Sequence, residues 1–233
     1  MKTINIIILT LLFTSCIRMG YETGSGNVVT EYRDLPYFNK VKVTDGLDVK
    51  IEQGSKAKVV VNADDNLIDL IKTEVENDQL NIYIEKMFIR SKNIEVLLTV
   101  NDLEELEASA GSSVKGQNPI RGSNLKVKAH AGSLLDLNLD VDQFEFNASS
   151  GSNSKLGGIT KNMLVKTSSG ANLDAYDLVA DLAEIKSSSG SNVKIQVRKE
   201  ILADISSGGN VTCKGEPEIK NINKSSGGNF SNR

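Results

Sequence analysis

Seven glycines recur through the second half of the chain at nearly constant spacing, and no other feature restricts the fold as tightly. Gly111, Gly132, Gly151, Gly170, Gly190, Gly208 and Gly227 each sit in a variant of the phrase Ser-Ser-Gly-x-Asn-apolar, with gaps of 21, 19, 19, 20, 18 and 19 residues. A period of this length is the signature of a solenoid. A unit of ~19 residues cannot bury an apolar face alone, so its neighbours must stack.

Aligned on the glycine, the copies alternate. Five residues before it stand Leu106, Val127, Phe146, Val165, Ile185, Ala203 and Ile222. Three before it stand Ala108, Ala129, Ala148, Thr167, Ser187, Ile205 and Lys224, mostly small enough to lie inside. Polar residues such as Glu107, Lys128 and Lys166 separate the two sets. After the glycine, the third residue is Val114, Leu135, Ser154, Leu173, Val193, Val211 or Phe230, and the fifth position reads inward as well. A period of two marks a strand with one buried face, so each repeat predicts two strands hinged at a glycine. Glycine suits such a corner because it takes positive φ without a Cβ clash.

Stacking at ~4.8 Å aligns equivalent residues into ladders. Two positions after the glycine run Asn153, Asn172, Asn192, Asn210 and Asn229, whose amides can bond from coil to coil. Four positions after it run Lys115, Asp136, Lys155, Asp174, Lys194 and Thr212, so the sign of the charge alternates along the stack. Hexapeptide rhythm is missing from 144–161, and the Gly-Gly-x-Gly-x-Asp nonapeptide of calcium-binding rolls is missing too. The expected fold is therefore all-β, a parallel β-helix with coils of about 19 residues. It is expected to be right-handed because connections between parallel strands overwhelmingly take that hand.

The first fifteen residues, with Lys2 followed by the apolar stretch 4–12, read as a processing signal too short to span a bilayer. Phe13-Thr14-Ser15-Cys16 resembles the bacterial lipobox, which implies a lipid on Cys16 and a membrane contact through it. Residues 16–34, with Gly24-Ser25-Gly26-Asn27, read as a flexible tether. Residues 35–105 read as a less regular N-terminal layer. In it Val41, Val43, Gly46, Val49 and Ile51 repeat the strand, glycine, strand arrangement, so Gly46 is an outlying member of the series. Asp64-Asp65-Asn66 ahead of Leu67, Ile68, Leu70 and Ile71 predicts one short capped helix that covers the open end of the stack. Residues 106–233 hold the regular repeats. Their last coil ends at Phe230 to Arg233 without an amphipathic cover, and its free edge is expected to favour self-association.

Several phrases together carry a family resemblance. Leu35-Pro36-Tyr37-Phe38-Asn39-Lys40-Val41, Gly46-Leu47-Asp48-Val49, the lead-in from Leu103 to Leu106 and the repeated Ser-Ser-Gly-x-Asn-Val resemble the head GIN domain, DUF2807. The resemblance spans about residues 37 to 222. It implies a parallel β-helical domain in a Bacteroidetes envelope lipoprotein of the outer membrane, carrying an adhesin label and no established catalytic or metal residues.

For function, the expectation is a non-enzymatic binding, adhesion or scaffolding role with a protein or glycan partner and no cofactor. Asn153, Asn172, Asn192 and Asn210 are the candidate binding face, beside a flat face of paired serines such as Ser168-Ser169. The formal net charge of -3, from 27 basic and 30 acidic residues, argues against nucleic acid. An aromatic content of 5% without tryptophan weakens any sugar platform built on stacked rings. The alternative is a polysaccharide lyase or glycosidase, with Asp136 and Asp174 two coils apart as the carboxylate pair. A uniform charge ladder produces the same spacing, and no coil breaks the repeat as a cleft would. His130, the sole histidine, takes a position held elsewhere by serine and is expected to be exposed, a poor metal ligand without a partner. Cys213 aligns with inward aliphatics and reads as a small buried hydrophobe.

Overall fold

The computed structural model describes residues 22–85, 89–91 and 93–233. Residues 1–15, expected to be a processing signal, and Cys16 lie outside the described residues. Among the described residues there are nineteen strands and one 3-10 helix of three residues. The irregular part holds β1 (Glu22–Thr23), β2 (Val28–Arg33), β3 (Lys40–Val43), β4 (Asp48–Gln53), β5 (Lys58–Asp64), β6 (Ile71–Glu76), β7 (Gln79–Ile84), β8 (Ile89–Arg90) and β9 (Glu95–Val100). The regular part follows as β10 (Glu105–Ala108), β11 (Ser113–Gly116), β12 (Ile120–Ala129), β13 (Leu134–Ala148) and β14 (Asn153–Thr167). It continues through β15 (Asn172–Ser187), β16 (Asn192–Ile205), β17 (Asn210–Lys214), β18 (Ile219–Lys224) and β19 (Asn229–Asn232).

From β10 onward every pairing is parallel, and the glycine register holds throughout. Leu106 pairs with Val127, Val127 with Phe146, Phe146 with Val165, Val165 with Ile185, Ile185 with Ala203 and Ala203 with Ile222. These residues are fully buried until the last coil, and burial of such side chains stabilises by roughly 1.5 to 3 kcal/mol each. The core is one continuous apolar column running through the stack.

The corners differ in one respect from the sequence expectation. Both the glycine and the residue before it adopt positive φ, as in Ala131 (48°) and Gly132 (74°), or Ser169 (50°) and Gly170 (72°). With Ser133 N–H donating to the His130 carbonyl at 3.1 Å, each corner is a type I′ turn. A left-handed non-glycine residue costs roughly 1 to 2 kcal/mol. Stacking offsets that cost, because six corner glycines, from Gly111 to Gly208, donate their N–H to the next corner, as Gly170 does to Ser189 O at 3.1 Å. Asp45 and Gly46 adopt the same conformation, which makes Gly46 a member of the repeat. Immediately after the corner glycine lies a column of fully buried serines, Ser112, Ser133, Ser152 and Ser191. The hydroxyls of Ser133 and Ser152 have no hydrogen-bond partner.

The N-terminal layer departs from chain order. The β3–β4 coil lies between the β10–β11 coil on one side and β7 with β9 on the other. Beyond that layer the pairing turns antiparallel, with β6 on β7, β5 on β9 and β2 on β5. Strands rather than a helix therefore close this end. The expected helix is a 3-10 turn at Ile68–Leu70 with Leu67 as its N-cap and no side-chain cap. The carboxylates expected to cap it are engaged elsewhere. Asp64 accepts from Gly26 N–H (3.0 Å), Ser91 Oγ (2.5 Å) and Asn93 Nδ2 (3.2 Å), while Asp65 accepts from Ser25 Oγ and Asn27 Nδ2.

Those donors also correct the tether. Within residues 16–34, β2 is ordered against β5, and Arg33 reaches the Ile68 carbonyl at 3.0 Å. Val28, Thr30 and Tyr32 alternate with Val29, Glu31 and Arg33 as a strand requires, and Gly24 to Asn27 form a clasped loop ahead of it. At the other end, Ile222 and Phe230 are only half-buried because no coil lies on β18 and β19 among the described residues. Lys220 and Lys224 occupy inward columns there, paired with Ile201 and Ile205. Inward lysines on an edge strand work against a further strand docking on it.

Candidate binding face

The four predicted asparagines form one column. Asn172 Nδ2 donates to Asn153 Oδ1 at 3.0 Å, Asn192 to Asn172 at 2.9 Å and Asn210 to Asn192 at 3.2 Å. The same amides also donate inside their own corners, Asn172 to Gly170 O at 3.3 Å and Asn210 to Gly208 O at 3.1 Å. Their N–H groups are therefore largely occupied in holding the stack together, and the remaining oxygen lone pairs face solvent. The neighbouring charge column is in register as predicted, with Lys115, Asp136, Lys155, Asp174 and Lys194 paired in series. Lys194 Nζ lies 3.4 Å from Asp174 and 5.7 Å from the Tyr176 ring centre. The two columns border a shallow groove of about 550 Å³.

The residues weighed for catalysis and metal binding do not converge. Lys155 stands between Asp136 and Asp174, and Asp174 is engaged by Lys194. His130 is half-buried rather than exposed, because its Nδ1 lies 2.9 Å from Ser149 Oγ on the next coil. Cys213 is fully buried, and that burial pushes its thiol pKa up. Among the described residues no three His, Cys, Asp or Glu side chains gather as a metal site.

A larger groove, of about 950 Å³, lies on the outer surface of the strands that precede each corner. Two outward columns border it. One runs Asn124, Gln143, Asn162, Leu182 and Glu200, and the other runs Lys126, Glu145, Leu164, Glu184 and Leu202, each residue in register with the next. Leu182 and Leu202 are 39% and 38% exposed, and Tyr37 at one end is 61% exposed. Sequence reading passed over this face, although a signal was present. Leucine at three positions that are polar in most other coils is the departure from repeat that a ligand site would produce.

Part of the charge in and beside the groove is neutralised, with Lys126–Glu145 at 3.2 Å, Lys128–Glu105 at 2.6 Å and, just outside the lining, Lys42–Glu107 at 3.0 Å. The hydrogen bond to Glu105 raises the Lys128 pKa, and the Asn147 amide together with Lys126 lowers that of Glu145. Glu104, Asp102 and Glu200, which also line the groove, form no ion pair among the described residues. The amides of Asn124, Gln143 and Asn162 likewise bond to no side chain among the described residues, unlike those of the asparagine ladder. The larger groove thus gathers uncommitted amides, uncommitted carboxylates and exposed apolar side chains on a rigid sheet.

With this geometry in place, the comparisons are specific about family and fold. The family described as "Putative auto-transporter adhesin, head GIN domain" (DUF2807) matches residues 37–217. A crystal structure titled "putative adhesin" from Bacteroides fragilis is 20% identical and superposes with a TM-score of 0.85 over 91% of this chain and 100% of that one. Another "putative adhesin", from Parabacteroides merdae, gives 0.74 at 17% identity over 91% and 99%. A "putative lipid binding protein" from Parabacteroides distasonis gives 0.70 at 18% identity over 92% and 100%. At these identities the structures share the fold. No curated protein matches the chain. The chain belongs to the head GIN domain family.

Proposed function

We propose that this head GIN domain protein is a cell-envelope protein of the outer membrane, anchored by a lipid on Cys16, which binds a partner without chemistry along the larger groove. The observation that carries the reading is the groove itself. Outward leucines, on strands whose equivalent positions elsewhere are mostly polar, lie together with uncommitted amides and with the solvent-facing Tyr37 of the segment ahead of β3. The adhesin and lipid-binding titles of the structural relatives agree with a binding role, and the lipobox at 13–16 supports the anchor.

Two measurements test it. Cys16→Ala is expected to move the protein from the membrane fraction to the soluble fraction; retention in the membrane would remove the anchor from the reading. For the groove, the fluorescently labelled protein is applied to intact cells as wild type and as Leu182→Glu/Leu202→Glu. Both leucines are exposed, so the fold is expected to tolerate the change. Cell binding reduced several-fold in the variant supports the groove, and equal binding by the two proteins overturns it.

A further inference from the structure

We infer that the larger groove takes a neutral, linear glycan lying along the stack, an inference that rests on the groove reading above. Dimensions come first. The lining residues run from Lys40 on β3 to Leu202 on β16, a span of seven successive strands. At ~4.8 Å per strand the groove is ~29 Å long, a length that suits one extended chain lying across the strands.

The walls narrow the choice of chain. An extended peptide along the stack advances ~3.3 Å per residue and falls out of step with columns ~4.8 Å apart. Asn124, Gln143 and Asn162 present one planar amide per coil, each offering two N–H donors and a carbonyl acceptor. Hydroxyl groups, which donate and accept, satisfy such amides in either sense. Glu200, Glu104 and Asp102 add acceptors for further hydroxyls, and their three charges outweigh that of Lys40, which also forms no ion pair among the described residues, so the lining repels a polyanion. Leu164, Leu182 and Leu202 with Tyr37 supply apolar surface for the C–H faces of sugar rings. An acyl chain would instead strip water from the amides and carboxylates without replacing those hydrogen bonds.

The test uses the full-length protein in isothermal calorimetry with hexasaccharides of glucose, mannose and N-acetylglucosamine, and with hexagalacturonate as the anionic counterpart. At least one neutral hexasaccharide is expected to bind, with hexagalacturonate roughly tenfold or more weaker. Asn124→Ala/Gln143→Ala/Asn162→Ala is expected to weaken the neutral sugar by about tenfold with unchanged melting. Failure of all three neutral sugars, or full affinity in the triple variant, overturns the glycan inference. The source of such a failure is separable. A palmitate probe or a basic peptide that binds and is lost in Leu182→Glu/Leu202→Glu leaves the groove reading standing, whereas equal cell binding by that variant removes both.

Discussion

The side-chain amide of Asn192 donates to the side-chain oxygen of Asn172 one coil away, at 2.9 Å, and Asn172 passes the same bond to Asn153. The chain of amides is directional, each donating toward the N-terminal coil. Such a ladder ties coils together at the surface while the apolar columns do so inside.

Asn172→Ala breaks that chain in the middle. It leaves Asn153 without its donor and Asn192 without its acceptor, both at positions where water can substitute. The expected loss is about 0.5 to 1.5 kcal/mol, read from the urea midpoint. An unchanged midpoint would mean the ladder is decoration on a stack held by other forces.

Ser152→Ala is expected to stabilise. The Ser152 hydroxyl is buried without a partner, and Ala171 fills the same position one coil later. Removing an unsatisfied buried hydroxyl recovers up to about 1 kcal/mol, and the melting temperature should rise. A fall would show that the hydroxyl does have a partner inside the stack.

Two glycines should respond differently to alanine. Gly170 has φ of +72° with nothing near an added Cβ, so Gly170→Ala is expected to cost about 1 to 2 kcal/mol of backbone strain. At Gly209 an added Cβ would sit 2.7 Å from the Ser187 carbonyl oxygen, on the backbone of the coil beneath. Gly209→Ala should therefore be the more damaging, by about 2 kcal/mol or more, because the stacked strands must part. Denaturation of the two variants side by side gives the order.

Asp64→Asn should loosen the N-terminal clasp. The amide keeps one acceptor and brings two donors to face Gly26 N–H, Ser91 Oγ and Asn93 Nδ2. Hydrogen exchange is expected to quicken across residues 24–33 while the regular coils stay protected. In the unmutated protein the Ser91 hydroxyl bond, with Asn93 and Gly26, lowers the Asp64 pKa. A lowered carboxylate stabilises above its unfolded value of about 3.9, and that contribution drains away as pH falls through the lower folded value. Acid titration should thus release residues 24–33 only below about pH 4; release near neutrality would contradict the assignment.

Much of the architecture was legible because a solenoid repeats its physics. Phe146 and Val165 share a column since burial imposes the same residue class on every coil, and period-two alternation then locks the register. Ser169 was opaque, because nothing in its chemistry announces a left-handed backbone that coil-to-coil bonds hold in place. The helical turn expected near Asp64 is present at Ile68–Leu70, but its missing cap was opaque for a related reason. A local capping signal cannot reveal that its carboxylates face Gly26 and Ser91, which lie far away in sequence. Leu182 and Leu202 were readable in principle, but only against a register for the outward positions that the alternation of inward residues left unexamined.

The interleaved coils near the N-terminus bear on how the molecule is assembled during synthesis. Val41 needs both Leu80 and Leu106 before its two flanks are covered, so the first coil to be made is among the last of its layer to be enclosed. Long-range closure of this kind is the slow part of folding. Each later coil needs only the one before it, and can be laid down as the chain arrives. The molecule therefore behaves as a seed with a growing tail. Losing whole coils from the tail shortens the rod, whereas damage to β7 or β9 unroofs the seed on which all the others are templated.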